Sequence, residues 1–130
     1  LRILPGAIAG LDALAALAIA GIDDVGLSIR APEIAASHDT SLAEAAALMP
    51  DGVNVAAAAA LAGGAWRELR VRLGPAGVTG ARELSLDARG ALGTLQTTLR
   101  PRTHTRRGLH VVAASVIAAL RREDATIWAG

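Results

Sequence analysis

Apolar residues recur at helical spacing from Ala7 to Ala20, at Ile8, Leu11, Leu14, Ala15, Leu17 and Ala18, and predict a helix that Gly21 closes. Ahead of it, "LRIL" reads as a short strand stopped by Pro5-Gly6. The pattern then changes period. In "DDVGLSIR", Val25, Leu27 and Ile29 alternate with polar or small residues, as in a strand. Ala31 to Thr40 reads as a loop. "TSLAEAAALM" opens a helix, with Thr40 or Ser41 as cap and Glu44 in the capping-box position three residues after Ser41. Pro50-Asp51-Gly52 breaks that helix, and "VNVAAAAALAGG" predicts another, closed by Gly63-Gly64.

Three period-2 segments follow: "RELRVRL" with Leu69, Val71 and Leu73 on one side, "RELSLDAR" with Leu84, Leu86 and Ala88, and "TLQTTLR" with Leu95, Thr97 and Leu99. Joined by Gly-containing turns, residues 67–73, 82–89 and 94–100 predict an antiparallel meander of neighbouring strands with one buried face. A helix over 109–121 carries Leu109, Val112, Ala113, Val116, Ile117 and Leu120 on one stripe and should cover that face together with helix 7–20. A last strand at "ATIW" ends the pattern. The expected class is α+β: an antiparallel or mixed sheet with helices on one face, in one domain spanning residues 1–130.

Composition narrows the function. With 52% hydrophobic and 19% charged residues, the 130-residue chain is globular rather than disordered. It has no Cys, which excludes disulfides and thiolate metal sites. A formal charge of +1 argues against a nucleic-acid partner; the basic stretch "RPRTHTRR" has no interleaved aromatics and reads as a solvated loop. The longest charge-free run, Gly52 to Trp66, has 15 residues, short of the roughly 20 that a membrane-spanning helix needs. No signal-peptide pattern opens the chain, so a cytoplasmic location is expected.

No G-x-G-x-x-G turn, P-loop, G-x-S-x-G or H-E-x-x-H is present. His38 stands alone and His104 and His110 are six apart, a spacing that fits no metal site, so no metal is expected. Two residues have two readings each. Asp12 lies amid Ile8, Leu11, Ala13 and Leu14, where an unpaired buried carboxylate would cost several kcal/mol; it either binds a neighbouring turn or faces a cleft. Asn54 opens the Ala helix, either as its N-cap or as part of a helix start offered to a ligand.

Taken together, these stretches resemble the C-terminal catalytic domain of the L-aspartate dehydrogenase family. "LPGAIAGLDAL" is similar to the family's Pro-(Ser)-Gly-Ala-Ile-Gly-Gly-x-Asp-Ala turn and helix, and Arg30-Ala31-Pro32 to its basic-basic-Pro segment. "DTSLAEAAALMPDGVNVAAAAALAG" resembles a family run that aligns Asp39, Ser41, Glu44, Pro50 and Asn54; "VRL" (71–73) and "GALG" (90–93) align as well. The resemblance implies the second half of a two-domain, NAD- or NADP-dependent oxidoreductase, whose dinucleotide-binding half precedes this point. The implied reaction interconverts aspartate with iminoaspartate, or oxaloacetate plus ammonia, and feeds NAD biosynthesis. It further implies a homodimer, an aspartate-like substrate contacted by Asp12, Arg30 and Arg107, and contact between Asn54 and the cofactor. The family's catalytic His aligns with Leu84, so the acid-base residue is unknown. The residues before the last helix also depart from the family's Asn-Pro-Lys-Thr-Ser, although Arg107 keeps a positive charge. The alternative expectation is an inactive paralogue that serves as a dimerisation or interaction module.

Overall fold

In the computed structural model, residues 8–50, 52–65, 68–102 and 111–124 are described. Gly10 decides where the first helix begins. Its φ of 86° is left-handed, a conformation cheap for glycine and costly for other residues, so helix α1 spans Leu11–Ala20 instead of starting at Ala7. Gly21 closes it, its N–H donating to the Ala18 carbonyl.

Strand β1 (Ile22–Ala31) buries Val25, Leu27, Ile29 and Ala31. The expected loop from Ala31 to Thr40 contains a strand, β2 (His38–Ser41). "HDTS" has no apolar alternation because it is a largely exposed edge strand, and only pairing with a neighbour marks it as a strand.

Helix α2 (Leu42–Leu48) starts with the full capping box: the Glu44 N–H donates to Ser41 Oγ, and the Ser41 N–H donates to Glu44 Oε2 at 2.8 Å. Helix α3 (Val53–Ala62) is capped by Gly52, so Asn54 is its second residue and not its N-cap. Strands β3 (Arg70–Pro75), β4 (Glu83–Gly90) and β5 (Gly93–Leu99) and helix α4 (Val111–Asp124) complete the order.

The five strands form one mixed sheet in the order β2-β3-β1-β4-β5. The expected three-strand meander is therefore half right. β4 and β5 form a hairpin, but β1 lies between β3 and β4, parallel to β3 and antiparallel to β4. Alternation marks each segment as a strand with one buried face and is silent about which edges meet. The β2-α2-α3 connection is long enough for the crossover that a parallel pair requires.

All apolar strand side chains point to one side of the sheet, where α1 packs on β4 and β5, and α2 on β2 and β3; α3 packs against both helices. Ala56, Ala59 and Ala60 let α3 pack closely, and Leu14, Leu27, Ile29, Leu69, Val71 and Leu86 are fully buried. Each large side chain so buried contributes about 1.5–3 kcal/mol. The other side of the sheet carries polar residues. This is the expected α+β class with helices on one face.

Helix α4 does not cover the sheet as expected. Val111 packs against the core, while Ile117 and Leu120 are exposed, because α1 already occupies the apolar side of β4 and β5. The strands expected at "LRIL" and "ATIW" lie outside the described residues.

Candidate functional site

Strand register sorts the candidate residues between the two faces. Leu84 is directly opposite Ile29 on β1 and Leu99 on β5; it is buried on the helix-covered side with Leu86 and Ala88. Glu83 and Arg30, the next pair along, belong to the polar side, since successive side chains in a strand alternate. Arg30 and Leu84 therefore do not share a pocket.

Asp12 is exposed in the first turn of α1, where its charge suits the positive end of a helix that has no side-chain cap. Asn54 is exposed near the start of α3. The far end of α3 meets α1, with Gly63 packed against Leu14, so Asn54 stands about 13 Å along the axis from that contact. Asp12, Asn54 and Leu84 belong to the helical side, and Arg30 to the open side. Arg107, His104 and His110 lie outside the described residues.

The open side holds a cleft of about 460 Å³ lined by Ser28, Arg30, Ser37, His38, Asp39, Arg72, Leu73, Gly74 and Pro75. Two glycines make room near it, Gly74 in its lining and Gly26 outside it. Gly26 leaves room for the Arg72 guanidinium, since a β-carbon there would be 3.2 Å from Nη2, and Gly74 leaves room for the Ser37 hydroxyl. Arg30 Nε donates to the Pro75 carbonyl at 3.3 Å, which holds its side chain at the cleft.

Three nearby carboxylates are taken by other arginines, while Asp87 is the register partner of Gly26, over which Arg72 lies. Asp39, the register partner of Arg72, pairs with Arg70 at 3.3 Å. Glu83, the register partner of Arg30, pairs with Arg100 at 2.5 Å, and Glu33 pairs with Arg82. Among the described residues, Arg30 and Arg72 form no ion pair. A second cleft of about the same volume is acidic, with Asp23, Asp24 and Glu68 on its rim. No group of three or more His, Asp or Glu among the described residues could hold a metal ion. No described helix is long and apolar enough to cross a membrane.

The starts of α1, α2 and α3 offer a dinucleotide no seat. Its pyrophosphate needs free amides at a helix N-terminus reached through a glycine-rich turn. The start of α1 carries the Asp12 carboxylate, the start of α2 is filled by Glu44, and Met49 lies against Gly52 at the start of α3.

Comparison with known proteins decides the family. In an alignment of 120 residues that covers 78% of its length, the chain is 32% identical to an L-aspartate dehydrogenase of Polaromonas sp. (strain JS666 / ATCC BAA-500). The chain is homologous to the L-aspartate dehydrogenase family. It also superposes on the crystal structure of aspartate dehydrogenase from Thermotoga maritima with a TM-score of 0.76, at 19% identity and over 97% of the chain. That likeness confirms the fold. No protein-family model matches the chain. The chain spans about half the length of these aspartate dehydrogenases, 45% of the first and 54% of the second.

Of the side chains at this cleft, the sequence offers Arg30 as a candidate and does not single out Arg72, Ser28 and Ser37. They come from β1, β3 and the segment leading into β2, and only strand pairing assembles them. The one local signal is "RVRL", whose two arginines had to share the polar side of a strand.

Proposed function

We propose that this chain is the substrate half of an NAD(P)-dependent L-aspartate dehydrogenase-like oxidoreductase, which interconverts aspartate with iminoaspartate, or oxaloacetate plus ammonia, and feeds NAD biosynthesis. The observation that carries the reading is the 32% identity to an L-aspartate dehydrogenase over 120 residues. Apart from Asn54, the residues that hold the cofactor, NAD or NADP, are other than the described ones. In this reading Asp12 and Asn54, at the starts of α1 and α3, face the substrate and the nicotinamide end from the helical side. Arg107 supplies a cation for a substrate carboxylate. Arg30, on the opposite side of the sheet, is a substrate contact only if a second surface closes over that side. A cytoplasmic homodimer follows from the same family resemblance.

The reading requires a weak catalyst. A positioned acid or base contributes about 10²- to 10⁴-fold, and the Leu84 side chain can neither accept nor donate a proton. The burial of Leu84 beside Ile29 and Leu99 supports a second reading, an inactive paralogue that acts as an interaction module.

The two separate in one experiment. The chain is fused to the dinucleotide-binding half of the Polaromonas relative and assayed for aspartate-dependent NADH formation, with and without Leu84→His. Slow turnover that rises at least about tenfold with His supports the enzyme. No turnover in either form supports the module. Full activity with Leu84, abolished by His104→Ala or His110→Ala, would move the acid-base role to the histidines that precede the last helix in the sequence.

A further inference from the structure

We propose that two copies of this chain associate face to face through the open side of the sheet, with β3 of each copy over β4 of the other and Arg72 meeting Asp87 across the two-fold axis. The proposal gives the homodimer expected from the family a surface. It rests on the layout of that side and not on the catalytic reading.

Strand register sets out the open side row by row. Arg70, Gly26, Asp87 and Gln96 form one row across β3, β1, β4 and β5. Arg72, Ser28, Ser85 and Thr98 form the next. Positive charge therefore stands on β3 and negative charge on β4, separated in these rows by a glycine and a serine on the central strand. Among the described residues neither Arg72 nor Asp87 forms an ion pair, and the Arg72 guanidinium lies over Gly26, between the two strands. Helices α1, α2 and α3 pack on the other side of the sheet. A parallel pair such as β1 and β3 is ordinarily covered on both faces.

This layout is complementary to itself. Turning one copy by a half-turn about an axis along β1 reverses the strand order and keeps each row at its height. β3 then faces β4, and Asp87 of the second copy stands over Arg70, beside the Arg72 guanidinium. An axis across the strands would stack β3 on β3 and set arginine against arginine. Stacked sheets lie about 10 Å apart with strands within about 30° of each other, a gap that one arginine and one aspartate bridge together. Gly26 and Ser28 keep the centre low enough for that approach. A face five strands wide and about seven residues tall measures roughly 24 by 23 Å. Two such faces bury on the order of 1,100 Å², above the roughly 1,000 Å² of a specific interface. Because its centre is charged, the association should weaken as salt is added.

The test is sedimentation velocity of the 130-residue chain over a concentration series. A dimer with a dissociation constant below about 100 µM is expected at low salt. Arg72→Asp and Asp87→Arg should each weaken it at least about tenfold, since each sets like charges across the axis. Mixing the two variants in equal amounts should restore it, because one copy then brings carboxylates to both positions and the other brings arginines. Thermal melts show whether each variant is folded; if a reversal unfolds the chain, Arg72→Gln and Asp87→Asn carry the test, each weakening the dimer about threefold or more. A monomer up to about 1 mM overturns the proposal. Restoration in the double variant but not in the mixture also overturns it, by placing the pairing inside one chain. A dimer that no variant weakens overturns it as well and moves the contact elsewhere, to the β5 edge or to the exposed Ile117 and Leu120 of α4. Aspartate-dependent NADH formation by the fused enzyme reports on the catalytic reading separately.

Discussion

Leu84 faces Ile29 across the β4–β1 ladder, on the side of the sheet that the helices cover. A histidine there would sit in an apolar layer. Leu84→His is expected to lower the stability of the chain by about 1–3 kcal/mol, the cost of a buried polar group without a partner. Chemical denaturation of the two forms measures this. In the fused enzyme the same change is expected to raise turnover, so stability and activity move in opposite directions. Equal stability would mean that the imidazole finds a partner or reaches water.

The start of α2 depends on Ser41, whose hydroxyl accepts the Glu44 N–H. Ser41→Ala should cost about 1 kcal/mol, within the usual range for a lost N-cap. A shift in urea midpoint at unchanged slope would show it.

Glu44 gives that cap a pH dependence. Its carboxyl is held below its ordinary value of 4.5, first by the Ser41 backbone N–H and then by the Ser41 hydroxyl. A carboxylate whose folded value is lowered stabilises the fold above its unfolded value, and the contribution is lost as pH falls through the folded value. The melting-temperature difference between the natural chain and Glu44→Gln should therefore be constant near neutrality. It should shrink toward zero as the pH falls below the ordinary carboxyl value of 4.5 and through the lowered folded one. A difference that persists in acid would assign the effect to shape and not to charge.

Gly90 closes the β4–β5 turn against the Gly21 carbonyl, and a β-carbon at Gly90 would overlap that oxygen. The clash is with backbone, so no side chain can rotate away. Gly90→Ala should destabilise by at least about 2 kcal/mol, toward the upper part of the usual overpacking range. Gly77→Ala, where a β-carbon meets open space, is the matched control and should change little. Thermal melts of the two variants make the comparison.

The chain by itself should not bind NAD tightly, since the starts of α1, α2 and α3 are occupied by Asp12, Glu44 and Met49. Calorimetric titration should show no one-to-one complex with a dissociation constant below roughly 10 µM, equivalent to about 7 kcal/mol. A tighter complex would place a dinucleotide site in the residues outside the described segments.

Local pattern determined much of this protein. The alternation of Leu84, Leu86 and Ala88, the Ser41–Glu44 spacing and the Ala-rich run before Gly63 each state a conformation and a buried side, because both periods are properties of consecutive residues. Motif order was equally legible and pointed to the family. Tertiary structure decided the rest. Gly10 made the first helix begin later than its apolar spacing implied, through a backbone angle that no hydrophobic pattern encodes. "HDTS" became a strand only because β3 offered it an edge. The insertion of β1 between β3 and β4 depends on which edges pair across long loops, and it is this pairing that turns Arg30 and Leu84 to opposite faces. The cleft on the open side exists for the same reason: its residues are distant in the chain, and hydrogen bonds between strands are what bring them together.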